Sequence, residues 1–260
     1  MSVFIVSHKI FNIFLKNPYK IIFVGENALK LSQEVEGSLT DRSFKNNISV
    51  KNKFYSELSA LYVLRYFKYL DYIGLVHYGR RFLNFDLSGT IFIVKLLYKI
   101  LPLKIFEIFI YFFELNDNNI KKILINYDII LPKKICLGQS IYDHYSKYHY
   151  ENDIKLTLKT IKKMYPDYYE TAAYCFNQEY LYPFNMFISN KDIFEKYYNW
   201  IFSLLFEIES SIDLDKRSSY QKRAMGFISE RLLTVYVIYN KLRIKELPTS
   251  DTKLSLNCFK

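Results

Sequence analysis

Short apolar runs that break abruptly into polar, basic or glycine residues recur along this chain and alternate with stretches of helical spacing. This alternation constrains the fold more than any other feature. Residues 3–6 stop at Ser7-His8-Lys9 and 19–24 at Gly25; 71–78 run straight into Gly79-Arg80-Arg81, and 127–131 end at Pro132-Lys133-Lys134. Residues 184–188 lie between Pro183 and Asn190, and 242–247 end at Pro248. Such runs, closed by turn formers, read as buried strands. Residues 55–67, 153–164, 191–208 and 219–241 carry apolar side chains at helical spacing, whereas 26–54 is polar and irregular. Strands alternating with helices specify an α/β fold with a mostly parallel central sheet flanked by helices. Open sheets of this kind bind ligands beyond the carboxyl ends of their strands. One rim is therefore expected to gather His8-Lys9, Gly25, the segment from His77 to Arg81, and Lys133-Lys134.

The 260 residues suffice for one domain with its own core. The expected unit is 1–249, with 83–125 as an apolar helical insert and 250–260 as a mobile tail. With seven glycines, the chain contains no G-x-G-x-x-G, P-loop, G-x-S-x-G or H-E-x-x-H motif, which removes the sequence basis for those chemistries. The 25 tyrosines and 22 phenylalanines accompany abundant Lys, Asn and Ile, a pattern of AT-rich codons rather than a binding signature. A net charge of +10 favours an anionic partner: nucleic acid, acidic lipid or a phosphorylated substrate. The basic residues are scattered apart from short pairs such as Lys162-Lys163, whereas nucleic-acid binders cluster them, so no nucleic-acid partner is expected. Cys136, Cys175 and Cys258 lack C-x-x-C spacing and fit a reducing compartment. The first residues lack the basic region of a signal peptide, and a cytoplasmic protein is expected.

Residues 91–115 are nearly all Ile, Leu, Phe, Val and Tyr, interrupted by Lys95, Lys99, Pro102, Lys104, Glu107 and Glu114. The length would cross a bilayer, but five charges and the central proline favour two amphipathic helices joined at Leu101-Pro102. Packing on the domain and resting on the inner face of an anionic membrane are both open to them.

Among residues able to carry chemistry, His8 and His77 fall at the ends of expected strands. With Lys9 and Arg80 they would form a cationic rim suited to a diphosphate, which takes charge-assisted and bidentate donors. Asp213-Leu214-Asp215 has the form of a metal-holding D-x-D, yet it follows an amphipathic helix instead of a buried strand and reads as a solvated helix terminus. Arg223 and Glu230 are seven residues apart, hence on one face of the late helix, with Gly226 between them. A glycine inside a helix costs about 1 kcal/mol, so it marks close approach, by a ligand or by a packing neighbour.

Several ordered blocks resemble one bacterial family. They are Ser7-His8-Lys9; Asn47-Ile48-Ser49; Tyr55-Ser56-Glu57-Leu58-Ser59-Ala60-Leu61-Tyr62; Asp71-Tyr72-Ile73-Gly74-Leu75-Val76-His77-Tyr78; Tyr127-Asp128-Ile129-Ile130-Leu131-Pro132-Lys133; Phe184-Asn185-Met186-Phe187-Ile188; and Gly226-Phe227-Ile228-Ser229-Glu230-Arg231-Leu232-Leu233. The family is a galactofuranosyltransferase family with a GT-A-like fold, long carried as a domain of unknown function in capsule and O-antigen gene clusters. The resemblance implies transfer of galactofuranose, with inversion, from a UDP-sugar donor to a lipid-linked or growing cell-surface glycan. It places His8, Lys9, the stretch from Asn47 to Glu57, Asp71, His77, Tyr78, Arg80 and Arg223 on the donor side and Asn185 and Met186 on the sugar or acceptor side. Glu230 is the expected general base, with Asp143 and Asp153 as weaker candidates. His77-Tyr78-Gly79 stands where GT-A enzymes keep the D-x-D, so no metal or other cofactor is expected, imidazole, phenol and Arg80 neutralising the leaving UDP. The chain departs from the family in having Gly79 ahead of Arg80 and Arg81 after His-Tyr, which loses or shifts one guanidinium, and in having Val63 where Trp is common. The alternatives are another UDP-sugar on the same fold, or a non-enzymatic basic protein binding membrane or nucleic acid.

Overall fold

The computed structural model describes residues 2–11, 15–67, 69–84 and 111–250. The strands are β1 (Ser2–Ser7), β2 (Tyr19–Phe23), β3 (Leu39–Thr40), β4 (Tyr72–His77), β5 (Ile129–Pro132), β6 (Ile135–Cys136), β7 (Tyr180–Leu181), β8 (Phe187–Asn190) and β9 (Ile244–Leu247). Seven of them form one sheet in the order β3-β2-β1-β4-β8-β5-β9, and β6 pairs with β7 apart from it. Every pairing in the large sheet is parallel except those of β8 with β4 and β5. All its strands but β8 therefore end at the same edge, and the mostly parallel sheet expected from the sequence is present.

All six residues of β1 are buried, as an unalternated apolar run requires when both sheet faces are covered. Alternate side chains serve different cores. Phe4 and Val6 join Ile22 and Leu75 in a core shared with Ile201 and Leu205 of helix Lys191–Glu209 and Leu232 and Val235 of helix Ala224–Tyr239. Val3 and Ile5 join Val76, Ile130 and Ile188 under helix Asp117–Asn126. Several tyrosines are structural: Tyr197 meets Tyr236 at 5.0 Å and Trp200 stacks on Tyr168 at 5.0 Å.

Gly74 sits where β4 lies between β1 and β8. A β-carbon there would stand 2.7 Å from Ile188 Cγ1 and 3.1 Å from the Phe187 carbonyl oxygen. We expect Gly74→Ala to lower the unfolding free energy by about 1–3 kcal/mol through overpacking, measurable as a shift in the urea midpoint.

Three expected elements differ. The strand expected at 184–188 begins instead at Phe187, because Phe184 (φ 75°) and Asn185 (φ 51°) adopt left-handed backbone that cannot join a ladder. The helix expected at 55–67 breaks at Ser56 (φ 51°, ψ −126°) into Asn52–Tyr55 and Leu58–Val63, followed by a 3₁₀ turn. The helix expected at 219–241 starts at Ala224, after a 3₁₀ turn over Gln221–Arg223. Helix Ala28–Glu34 lies inside the stretch read as irregular. Helix Ile141–Tyr148, capped by Ser140, and helix Tyr169–Phe176 are further helices outside the expected elements. The joint at Leu101-Pro102, most of the hairpin it would connect, and the tail beyond Ser250 lie outside the described residues. Among the described residues no helix is long and apolar enough to cross a membrane.

Candidate functional site

A cleft of about 500 Å³ opens at the carboxyl edge of β1 and β4. β1 delivers His8 to it. Ser7 Oγ donates to the Lys9 carbonyl at 2.6 Å and accepts from the Lys9 N–H at 3.1 Å, which turns the chain directly after the strand. β4 delivers His77 and Tyr78. Tyr78 N–H donates to the Val6 carbonyl at 3.1 Å, carrying the β1–β4 ladder one residue further, and Arg80 N–H donates to the His77 carbonyl at 3.0 Å, closing a tight turn through Gly79. The broken-helix corner supplies Asn52, Lys53, Ser56 and Glu57. The last wall is the segment ahead of helix Ala224–Tyr239, with Ser219, Lys222 and Arg223; Arg223 Nε–H reaches across to Ser56 Oγ at 2.9 Å. Lys53, Arg80, Lys222 and Arg223 thus face two imidazoles and the one carboxylate of Glu57 among the lining residues.

The Phe184–Asn185 loop stands behind this lining. His77 Nε2 lies 2.7 Å from the Phe184 carbonyl oxygen. A carbonyl only accepts, so Nε2 carries a proton. The Arg80 guanidinium lies over the Phe184 ring at 4.1 Å. Phe184 N–H in turn donates to Glu230 Oε1 at 2.5 Å.

Of the residues named from the sequence, His8, Glu57, His77, Tyr78, Arg80 and Arg223 are brought together here. Lys9 falls outside the lining, its ammonium 5.2 Å from the Tyr78 ring centre. Asn47 is spent on its own turn, donating to the Phe44 carbonyl and accepting from Ser49. Asp71 precedes β4, six residues before His77, which puts it about 20 Å away at the opposite sheet edge. Arg81 is buried in an ion pair with Glu114 at 3.2 Å, so Arg80 is the member of that arginine pair that reaches the cleft. Burial lifts the Glu114 carboxyl to about 7 against the opposing pull of Arg81 and Lys16.

Glu230 does not line the cleft with Arg223. Its Oε1 holds Phe184, and its Oε2 accepts from Arg231 Nη1 at 2.7 Å. Seven-residue spacing failed as a guide because Arg223 precedes the α-helix proper. Asn185 is buried behind Glu57, and Met186 is fully buried in the core, so neither forms an open acceptor wall. Asp143 caps helix Ile141–Tyr148 with Ser140, and Asp153 is buried against Arg217. Asp213 and Asp215 are exposed and paired with Lys216 and Lys53, in keeping with a solvated terminus. Gly226 is approached by Ser56, 3.5 Å from where a β-carbon would stand, which makes its close neighbour a packing one. Lys134 pairs with Glu246 and lies outside the cleft.

Lys53 and Ser56 lie within the stretch from Asn47 to Glu57 expected near the donor, whereas Ser219 and Lys222 escaped sequence reasoning. The one local signal was their nearness to Arg223. His149 packs between Tyr220 and Phe227, and burial pushes its imidazole down to about 4, keeping it neutral. Among the described residues no group of three or more His, Cys, Asp or Glu is placed to hold a metal ion.

The comparisons with known proteins agree with this architecture. A family model described as "Domain of unknown function (DUF4422)" matches residues 2–241. No curated protein matches. A solved structure titled "WbbM bifunctional glycosytransferase apo structure" superposes with a TM-score of 0.76 at 28% identity, over 97% of this chain and 45% of that one. This chain therefore spans less than half the length of that glycosyltransferase.

Proposed function

The chain belongs to the DUF4422 family, and from that premise we propose that it is a glycosyltransferase whose cationic cleft seats a nucleoside-diphosphate sugar. The observation that carries this reading is the convergence of Lys53, Arg80, Lys222 and Arg223 from three separate segments on one cleft of about 500 Å³. That volume suits a small-molecule site, and a lining with more cations than carboxylates suits a diphosphate, although Lys53 and Lys222 also lie 2.6 and 3.9 Å from Asp215 outside it. As the bond from the sugar to the diphosphate breaks, negative charge grows on the leaving oxygen. Fixed cationic donors stabilise that charge more than they stabilise the ground state. The likeness to a glycosyltransferase structure supports the same reaction class.

The finer reading is transfer of galactofuranose from UDP-galactofuranose, with inversion, to a lipid-linked or growing cell-surface glycan at the inner membrane face. It rests on the sequence blocks quoted above. In this reading the cleft cations and the His8 and His77 imidazoles take the place of a divalent metal. Thermal shift and calorimetry with UDP, UDP-galactofuranose and UDP-galactose, each in EDTA and again with manganese in place of EDTA, test the proposal. A ligand bound by the native state alone must raise its stability. UDP is expected to raise Tm in EDTA, and UDP-galactofuranose to bind more tightly than UDP-galactose. Absence of any UDP effect refutes the nucleotide reading, and an effect that requires manganese refutes metal independence.

A further inference from the structure

We propose that Glu57 is the general base of the transfer and that Asn185 is its positioning residue; this rests on the glycosyl-transfer reading. An inverting transfer needs one group to take the acceptor proton. As the acceptor oxygen bonds to the anomeric carbon, its proton passes to the Glu57 carboxylate. The bond from that carbon to the diphosphate breaks with its electron pair on the departing phosphate oxygen, and Glu57 later returns the proton to water.

The carboxylates near the cleft differ in their partners. Glu230 is bound by a guanidinium at 2.7 Å and a backbone N–H at 2.5 Å, and Asp215 is paired with Lys53 at 2.6 Å. A cation beside a carboxylate stabilises its ionised form and weakens it as a base. Glu57 lines the cleft, and its hydrogen-bond partner is a neutral amide: Asn185 Nδ2 donates to Oε1 at 2.7 Å. A carboxylate also repels phosphate, so Glu57 marks the stretch of the cleft left to the sugar and acceptor hydroxyl.

The amide is held rigidly. Asn185 is buried, its Nδ2 also donates to the Gly226 carbonyl at 3.2 Å, and its Oδ1 accepts from Ser229 Oγ at 2.9 Å. The Glu57 carboxylate and the Gly226 carbonyl only accept, so the NH₂ group must face them and Oδ1 faces Ser229. Phe184 and Asn185 are consecutive non-glycine residues in left-handed backbone, a costly conformation that persists where surrounding contacts enforce it. Glu230 enforces it through the Phe184 N–H. The carboxylate expected to be the base thus acts one step removed, shaping the loop that aims Glu57.

The test uses Glu57→Gln, Asn185→Gly and Ser229→Ala in the full chain. Asn185→Gly keeps the left-handed backbone and deletes the amide; Ser229→Ala deletes one hydroxyl and guards against a folding failure of the first. UDP affinity is measured by calorimetry, and turnover as UDP released from UDP-galactofuranose with water and with octyl β-galactoside as probe acceptors. Wild type that fails to bind UDP, or binds it and releases none from the donor, overturns the transfer reading itself. Given an active wild type, Glu57→Gln is expected to keep UDP affinity within about twofold and to lose roughly 100-fold or more in kcat. Turnover within threefold of wild type, or a tenfold loss of UDP affinity, overturns the assignment. Removing a donor from a carboxylate raises its pKa. Asn185→Gly should therefore lower kcat and move the acid limb of the kcat–pH profile upward without altering UDP affinity, and Ser229→Ala, which loosens the amide from its anchor, should shift both in the same direction to a smaller extent. Lowered Tm with an unmoved pH profile in both variants would make Asn185 merely structural and overturn its part.

Discussion

Replacing Arg217 by leucine should lower the unfolding free energy by about 3–5 kcal/mol. Arg217 Nη1 and Nη2 donate to the two oxygens of Asp153 at 2.6 and 2.7 Å, and Tyr145 Oη donates to the same carboxylate at 3.3 Å. The Asp153 side chain is 2% exposed and that of Arg217 11%. Truncating the guanidinium leaves a buried carboxylate without its countercharge, and that isolated charge, rather than the worth of the pair, sets the size of the loss. For a chain of this length the Tm should fall by roughly 10 °C. Exchanging both residues for leucine removes the stranded charge and should recover much of the loss. A single variant within 0.5 kcal/mol of wild type (about the size of an ordinary surface substitution) would contradict the account. The pair also ties the segment carrying Ser219, Lys222 and Arg223 to helix Glu151–Met164, so UDP affinity should fall with stability.

Arg80→Ala should weaken UDP binding roughly 10- to 150-fold, the loss of a charge-assisted hydrogen bond of about 1.5–3 kcal/mol. Its neighbour supplies the contrast. Arg81 points away from the cleft into the buried pair with Glu114, so Arg81→Met should cost stability while leaving UDP affinity nearly unchanged. Arg80→Lys should recover part of the affinity, because an ammonium keeps the charge but not the planar fork. Calorimetry on folded protein separates the two arginines; less than a threefold change for Arg80→Ala would remove it from the diphosphate site.

How far the sequence could be read follows from the range of the interactions involved. His8, His77 and Arg80 were legible because each lies at or within a few residues of a strand's carboxyl end, and a parallel sheet brings those ends to one edge. Arg81 was not separable from Arg80, since alternation of side chains past the end of β4 depends on a turn. The left-handed pair at Phe184 and Asn185 was invisible: neither is glycine, and their conformation is enforced by Glu230, Gly226 and Ser229, more than 40 positions away. The block around Glu230 drew attention to the right helix, but its carboxylate faces the loop and not the cleft.

The amino-acid order alone determined the α/β class, the parallel strands and the meeting of His8, His77 and Arg80 at one sheet edge, because these follow from hydrophobic period and from residues near strand ends. Tertiary structure decided which carboxylate meets the cleft, which arginine is buried, and that Lys53, Lys222 and Arg223 stand together. Those outcomes depend on ion pairs and hydrogen bonds between segments distant in the chain, and local spacing carries no record of contacts that form only when the helices have packed.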